Sequence, residues 1–114
     1  MDEVLSQSDF ITLHTPGSSE VIDAVALSKM KKSAVLINCA RGGVVNETAL
    51  NEAISQGQIA FAGVDVFESE PPVNDLMLSL DNASLSPHIG ASTAEAQMRV
   101  GIELAERIIN HLVK

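Results

Sequence analysis

Four short apolar runs, each followed by a polar motif, organise this chain. Residues 10–13, 34–37, 59–66 and 83–86 read as strands. The third is apolar along nearly its whole length, as a strand buried on both faces of a parallel sheet requires. Residues 1–8 predict a short polar helix, and 26–31 another, with Lys29 and Lys31 near its C-terminal end, where cations suit the helix dipole. Asn46 predicts the cap of a helix through Leu50 and Ile54, with Glu47 in its first turn and Gly57 just past its end. Pro71-Pro72 stops the third strand, and one helical turn is expected around 76–80. From Ser92 or Thr93 onward, Met98, Ile102, Ala105, Ile109 and Leu112 recur at helical spacing, and Val100, Leu104 and Ile108 widen that face into the longest predicted helix.

Strands alternating with helices predict an α/β fold with a parallel sheet, built from right-handed βαβ crossovers. The seven glycines form no G-x-G-x-x-G turn, and no strand precedes the first helix. The expectation is therefore a partial Rossmann-like, doubly wound, three-layer sheet that lacks its first βαβ half. It would form one domain over residues 1–114, the second half of a doubly wound fold.

Composition narrows the function classes. At 114 residues and 46% hydrophobic content, the chain can pack one core. Fifteen acidic residues against seven basic ones, a formal charge of -8, argue against the broad cationic footprint of a nucleic-acid binder, so an anionic ligand needs a local cation. Three Phe with no Trp or Tyr give no platform for stacking bases. The single cysteine, Cys39, excludes an intramolecular disulfide and suits a reducing compartment. No apolar run approaches the roughly 18 residues of a membrane span, and no signal-peptide pattern opens the chain, so a cytoplasmic setting without membrane contact is expected.

Ligands of open α/β sheets bind outside the carboxyl ends of the strands, and the candidate chemistry falls there. Arg41 follows the second strand and precedes Gly42-Gly43, where a tight bend can aim a guanidinium at a carboxylate. His88 stands after Pro87 and near a predicted helix start, suited to passing a proton in either direction. Glu68 and Glu70 share strand parity, but Pro71-Pro72 pins the backbone at Glu70 and makes it the better partner for an imidazole. Asp65 lies within an apolar stretch and needs a partner in protein or ligand. His14 ends the first strand at the same rim, whereas His111 falls in the last turn of the final helix. Cys39 beside Arg41 reads either as an activated thiol or as a residue whose backbone matters more than its sulfur. One Cys and three scattered His do not form metal spacing, and no G-x-S-x-G elbow supports a serine hydrolase.

Taken together, Leu13-His14-Thr15-Pro16, Asn38-Cys39-Ala40-Arg41-Gly42-Gly43, Asp65-Val66-Phe67-Glu68-Ser69-Glu70-Pro71-Pro72 and Pro87-His88-Ile89-Gly90-Ala91-Ser92-Thr93 resemble the D-isomer-specific 2-hydroxyacid dehydrogenase family. The run 90–97, with Asn38-Cys39-Ala40-Arg41 upstream, is most similar to members acting on D-3-phosphoglycerate. The resemblance implies an oxidoreductase, with NAD carrying a hydride to or from a small anionic 2-hydroxy or 2-keto acid. It assigns catalysis to Arg41, which would hold the substrate carboxylate, His88, which would exchange the hydroxyl proton, and Glu70, which would orient His88. It assigns the cofactor to His14, Thr15, Cys39, Ala40, Arg41, Asp65, His88, Gly90 and Ala91. It also implies a substrate domain and a glycine-rich turn that are absent from these residues, so the chain alone is expected to be inactive and, with apolar surface uncovered, to self-associate as homo-oligomers or to be partly disordered. The competing reading is a non-catalytic NAD-sensing or oligomerisation module of the same fold.

Overall fold

In the computed structural model, which describes residues 1–73 and 75–113, strands β1 (Phe10–Leu13), β2 (Val35–Asn38), β3 (Phe61–Val64) and β4 (Ala83–Leu85) form one parallel sheet in that order. The register aligns Ile11, Leu36, Ala62 and Ala83 in one row across the sheet, and Leu13, Asn38, Val64 and Leu85 in the next. On β1 to β3 these rows are buried, while Phe10 and Phe61, on the alternate parity, are exposed.

The buried face packs against helices α1 (Asp2–Gln7), α2 (Ala24–Ser28), α3 (Glu47–Ser55) and α4 (Asp75–Leu78), which contact one another in chain order. Leu5, Leu27, Leu50, Ile54 and Met77 join the strand residues in a single core. The described residues thus supply the sheet and one helical layer of the partial three-layer fold. Helix α5 (Ala94–Leu112) has no buried residue, and its apolar stripe of Met98, Ile102 and Ile109 is exposed.

Local chemistry accounts for most boundaries. Asn46 Oδ1 accepts from the Ala49 N–H at 2.9 Å, and Gly57 takes φ +66° just beyond α3. Thr93, rather than Ser92, caps α5 by accepting from the Ala96 N–H at 3.1 Å. Two expectations shift. Helix α2 starts earlier because Asp23 Oδ1 accepts from the Ala26 N–H at 2.7 Å, and it ends before the lysines. Lys29 instead pairs with Asp2 at 2.9 Å and Lys31 with Asp9 at 3.0 Å, surface ties of small energetic weight. The third strand has four residues rather than eight, because Ile59 and Val66 are buried outside the ladder and prolong the apolar pattern.

Candidate active site

The turn after β2 is built by Asn38, which is buried and spends its amide on its own turn. Its Oδ1 accepts from the Ala40 N–H at 3.1 Å and its Nδ2 donates to the Arg41 carbonyl at 3.3 Å. Arg41 Nη1 donates back to the Ala40 carbonyl at 2.7 Å. A Cβ on Gly42 would collide with the Phe67 carbonyl oxygen, so only glycine lets this turn close against the loop after β3. Gly43 then takes φ +82°.

The loop after β3 is tied on both sides. The Glu68 N–H donates to Glu47 Oε1 at 2.7 Å, and the Phe67 N–H donates to Glu70 Oε1 at 3.1 Å. Glu70 Oε2 meets His88 Nδ1 at 2.7 Å, with the two side chains 38% and 47% exposed, so the pair remains open to a ligand. The hydrogen bond from His88 is the main cause, and that from the Phe67 N–H the next, of a Glu70 carboxyl held below its ordinary value. Glu68 makes only its backbone contact to Glu47 in this network.

The loop after β4 brings His88 to that carboxylate through a backbone at φ +54°, in the left-handed region that non-glycine residues rarely adopt. Asp65, 6% exposed at the end of β3, faces the same loop. Its Oδ1 accepts from Ser86 Oγ at 2.6 Å and the Ile89 N–H at 2.8 Å, and its Oδ2 accepts from the Gly90 N–H at 2.8 Å. Burial opposes ionisation of Asp65, but these three bonds, with the nearby His88, outweigh it and leave the carboxyl below its ordinary value.

Three neighbouring cavities follow from this arrangement. Ser18, Arg41, Gly42, Phe67, Glu68, Glu70 and His88 line one of about 290 Å³. Phe67, Glu70, Pro71, Pro72, Pro87 and His88 line a second of about 230 Å³. His14, Thr15, Pro16, Gly17, Cys39, Ala40 and Arg41 line a third of about 290 Å³. Arg41 borders both the first and the third. His14 Nε2 is paired with Thr12 Oγ1 at 2.9 Å. Asp65, Gly90 and Ala91 line none of the three; the Ala91 carbonyl accepts from Gln97 Nε2 at 3.0 Å. A guanidinium and an imidazole–carboxylate pair around one cavity can hold a carboxylate while moving a proton beside it. Asn38, Glu47 and Ser86 shape this geometry, but the sequence marks Asn38 only as part of the motif before Arg41, Glu47 only as a charge in the first turn of its helix and Ser86 only as the end of a strand. The one further signal is that Asn38 is a polar residue at the end of an apolar strand, where an amide needs local partners.

Residues 1–90 match the family model described as D-isomer specific 2-hydroxyacid dehydrogenase, NAD binding domain. The chain belongs to that family. Among relatives, the dehydrogenase-family chain is 48% identical to a hydroxypyruvate reductase of Thermotoga maritima, over 98% of its own length and 39% of the relative's. It is 47% identical to a D-3-phosphoglycerate dehydrogenase of Methanocaldococcus jannaschii, over 95% of its length and 21% of that protein's. Its fold is similar to an NAD-complexed D-isomer specific 2-hydroxyacid dehydrogenase from Lactobacillus delbrueckii ssp. bulgaricus, with a TM-score of 0.81 and 32% identity, covering 97% of this chain and 39% of that one. The chain therefore spans well under half the length of these relatives.

NAD is the cofactor of this domain family, and the third cavity fits one end of it. Its volume of about 290 Å³ lies at the lower edge of the ~300–1,000 Å³ of clefts that enclose a whole small ligand, too small for a dinucleotide. Its position outside the ends of β1 and β2 is where such sheets take nucleotides.

Proposed function

We propose that this chain is the C-terminal part of the NAD-binding domain of a longer D-2-hydroxyacid dehydrogenase, and that Arg41, Glu70 and His88 carry its catalysis. The observation supporting this most strongly is the 2.7 Å contact between His88 Nδ1 and Glu70 Oε2 on the wall of the cavity that Arg41 also lines. With Nδ1–H donating to Glu70, Nε2 of a neutral His88 offers its lone pair to a substrate hydroxyl. In the oxidation direction that nitrogen takes the hydroxyl proton as the 2-hydroxy acid becomes a 2-keto acid, and in reduction it returns the proton. Arg41 holds the substrate carboxylate and its reacting oxygen, and Glu70 fixes the ring and stabilises the imidazolium as it forms. The hydride is accepted or supplied by NAD when bound. His14, Thr15, Cys39, Ala40 and Arg41 wall the cofactor cleft at its nicotinamide end, while Asp65, Gly90 and Ala91, which line no part of that cavity, would meet the cofactor only from the adjoining His88 loop.

The substrate we favour is D-3-phosphoglycerate, which would place the enzyme in serine biosynthesis. Hydroxypyruvate is the competing substrate, since relatives of both names match at almost equal identity. We further place the protein in the cytoplasm, as a homo-oligomer.

The test uses the longer reading frame. NAD-dependent oxidation of 3-phosphoglycerate, faster than turnover of hydroxypyruvate, is expected, with His88→Gln lowering kcat by roughly 10²–10⁴-fold. The 114-residue chain alone is expected to give no turnover. NAD binding by the longer protein without oxidation of any 2-hydroxy acid would favour the non-catalytic NAD-sensing reading instead.

A further inference from the structure

We infer that Asp65 is a positioning residue for His88: its carboxylate clamps the loop after β4 and so sets the ring against Glu70. The inference rests on the proposed role of His88 but is argued from the loop itself. Holding a histidine at φ +54° costs free energy that the surroundings must offset. The N–H groups of Ile89 and Gly90, the two residues after that strained position, both point at Asp65, and the hydroxyl of Ser86, two residues before it, does the same. Successive backbone N–H groups around a left-handed residue form an anion-binding concavity, and here the anion is a side chain from the neighbouring strand.

The clamp joins two segments that the chain otherwise separates, since Asp65 lies 24 and 25 residues from its two backbone donors. It is also tightly fitted: a Cβ on Gly90 would meet Asp65 Oδ2 at 2.9 Å. Three bonds to an ionised group, two of them on one oxygen, leave the loop one arrangement in which all are made. In that arrangement His88 Nδ1 falls 2.7 Å from Glu70. Asp65 thus acts on the reaction through His88.

The experiment is nuclear magnetic resonance on the 114-residue chain, which needs neither cofactor nor turnover. In the wild type at mildly alkaline pH, the His88 ring should be held as the Nδ1–H tautomer, and the Ile89 and Gly90 amides should be protected from exchange. Asp65→Asn keeps the size but turns a donor towards a donor. It should speed exchange of those two amides by about tenfold or more and remove the excess of the Nδ1–H form. Ser86→Ala, which deletes one bond and keeps the carboxylate, should shift both readouts less and in the same direction. A folded Asp65→Asn chain with unchanged exchange and tautomer overturns the inference; if that variant does not fold, an unchanged His88 tautomer in Ser86→Ala does. Failure here would leave the dehydrogenase assignment standing, because turnover of the longer protein is measured separately.

Discussion

Glu70 binds the two ends of one hydrogen-bonded unit: Oε1 takes the Phe67 N–H from its own loop, and Oε2 takes His88 Nδ1 from a loop 18 residues further on. Each contact favours the ionised carboxylate, which sets the sign of its pH behaviour.

A carboxyl depressed in the folded state stabilises the fold above its unfolded value, and that contribution is lost as pH falls through the folded value. Glu70 should therefore titrate below 4.5, its ordinary value, when its side-chain carbon is followed by nuclear magnetic resonance. Removing the imidazole with His88→Ala should move the midpoint back towards 4.5. A wild-type midpoint at or above 4.5 contradicts the pairing.

Gly42 and Gly101 make a contrasting pair. At Gly42 a methyl group would strike the Phe67 carbonyl, whereas at Gly101, in mid-helix, nothing stands within 4 Å. Gly42→Ala should destabilise by about 1–3 kcal/mol, as overpacking does. Gly101→Ala should stabilise α5 by about 0.5–1 kcal/mol. Urea midpoints read both, and equal effects at the two sites would refute the close approach.

Glu47 holds the Glu70 loop through the Glu68 N–H, besides placing a negative charge in the first turn of α3. Glu47→Ala should lower stability by about 1 kcal/mol, while Glu47→Gln, whose carbonyl still accepts, should recover most of it. If Gln behaves like Ala in chemical denaturation, the charge matters and the hydrogen bond does not.

Helix α5 exposes Met98, Ile102 and Ile109 on one face, and apolar area of this kind drives association in water. Sedimentation velocity should show mass rising with concentration, and the double change Ile102→Lys with Ile109→Lys should abolish the rise. A monomer at all concentrations argues against homo-oligomers formed by this face.

The class of fold and most of its elements are legible in the order of residues alone. Apolar runs mark all four strands, since a strand's burial is written in consecutive residues. The caps Asn46 and Thr93 mark helix starts, since a cap reaches an N–H only three residues away. Arg41, Glu70 and His88 were visible as candidates because each follows such a run. Which of these groups meet is set by the folded arrangement. Glu70 reaches His88, Glu47 reaches Glu68 and Lys29 reaches Asp2 across 18, 21 and 27 residues. The first pair depends on strand order, which brings the ends of β3 and β4 side by side, and the last on the packing of α1 against α2. Asp65 shows the division most plainly. That a carboxylate in an apolar stretch needs partners follows from the energetics of burial, but that they are Ser86, Ile89 and Gly90 follows from the geometry of a shared sheet edge.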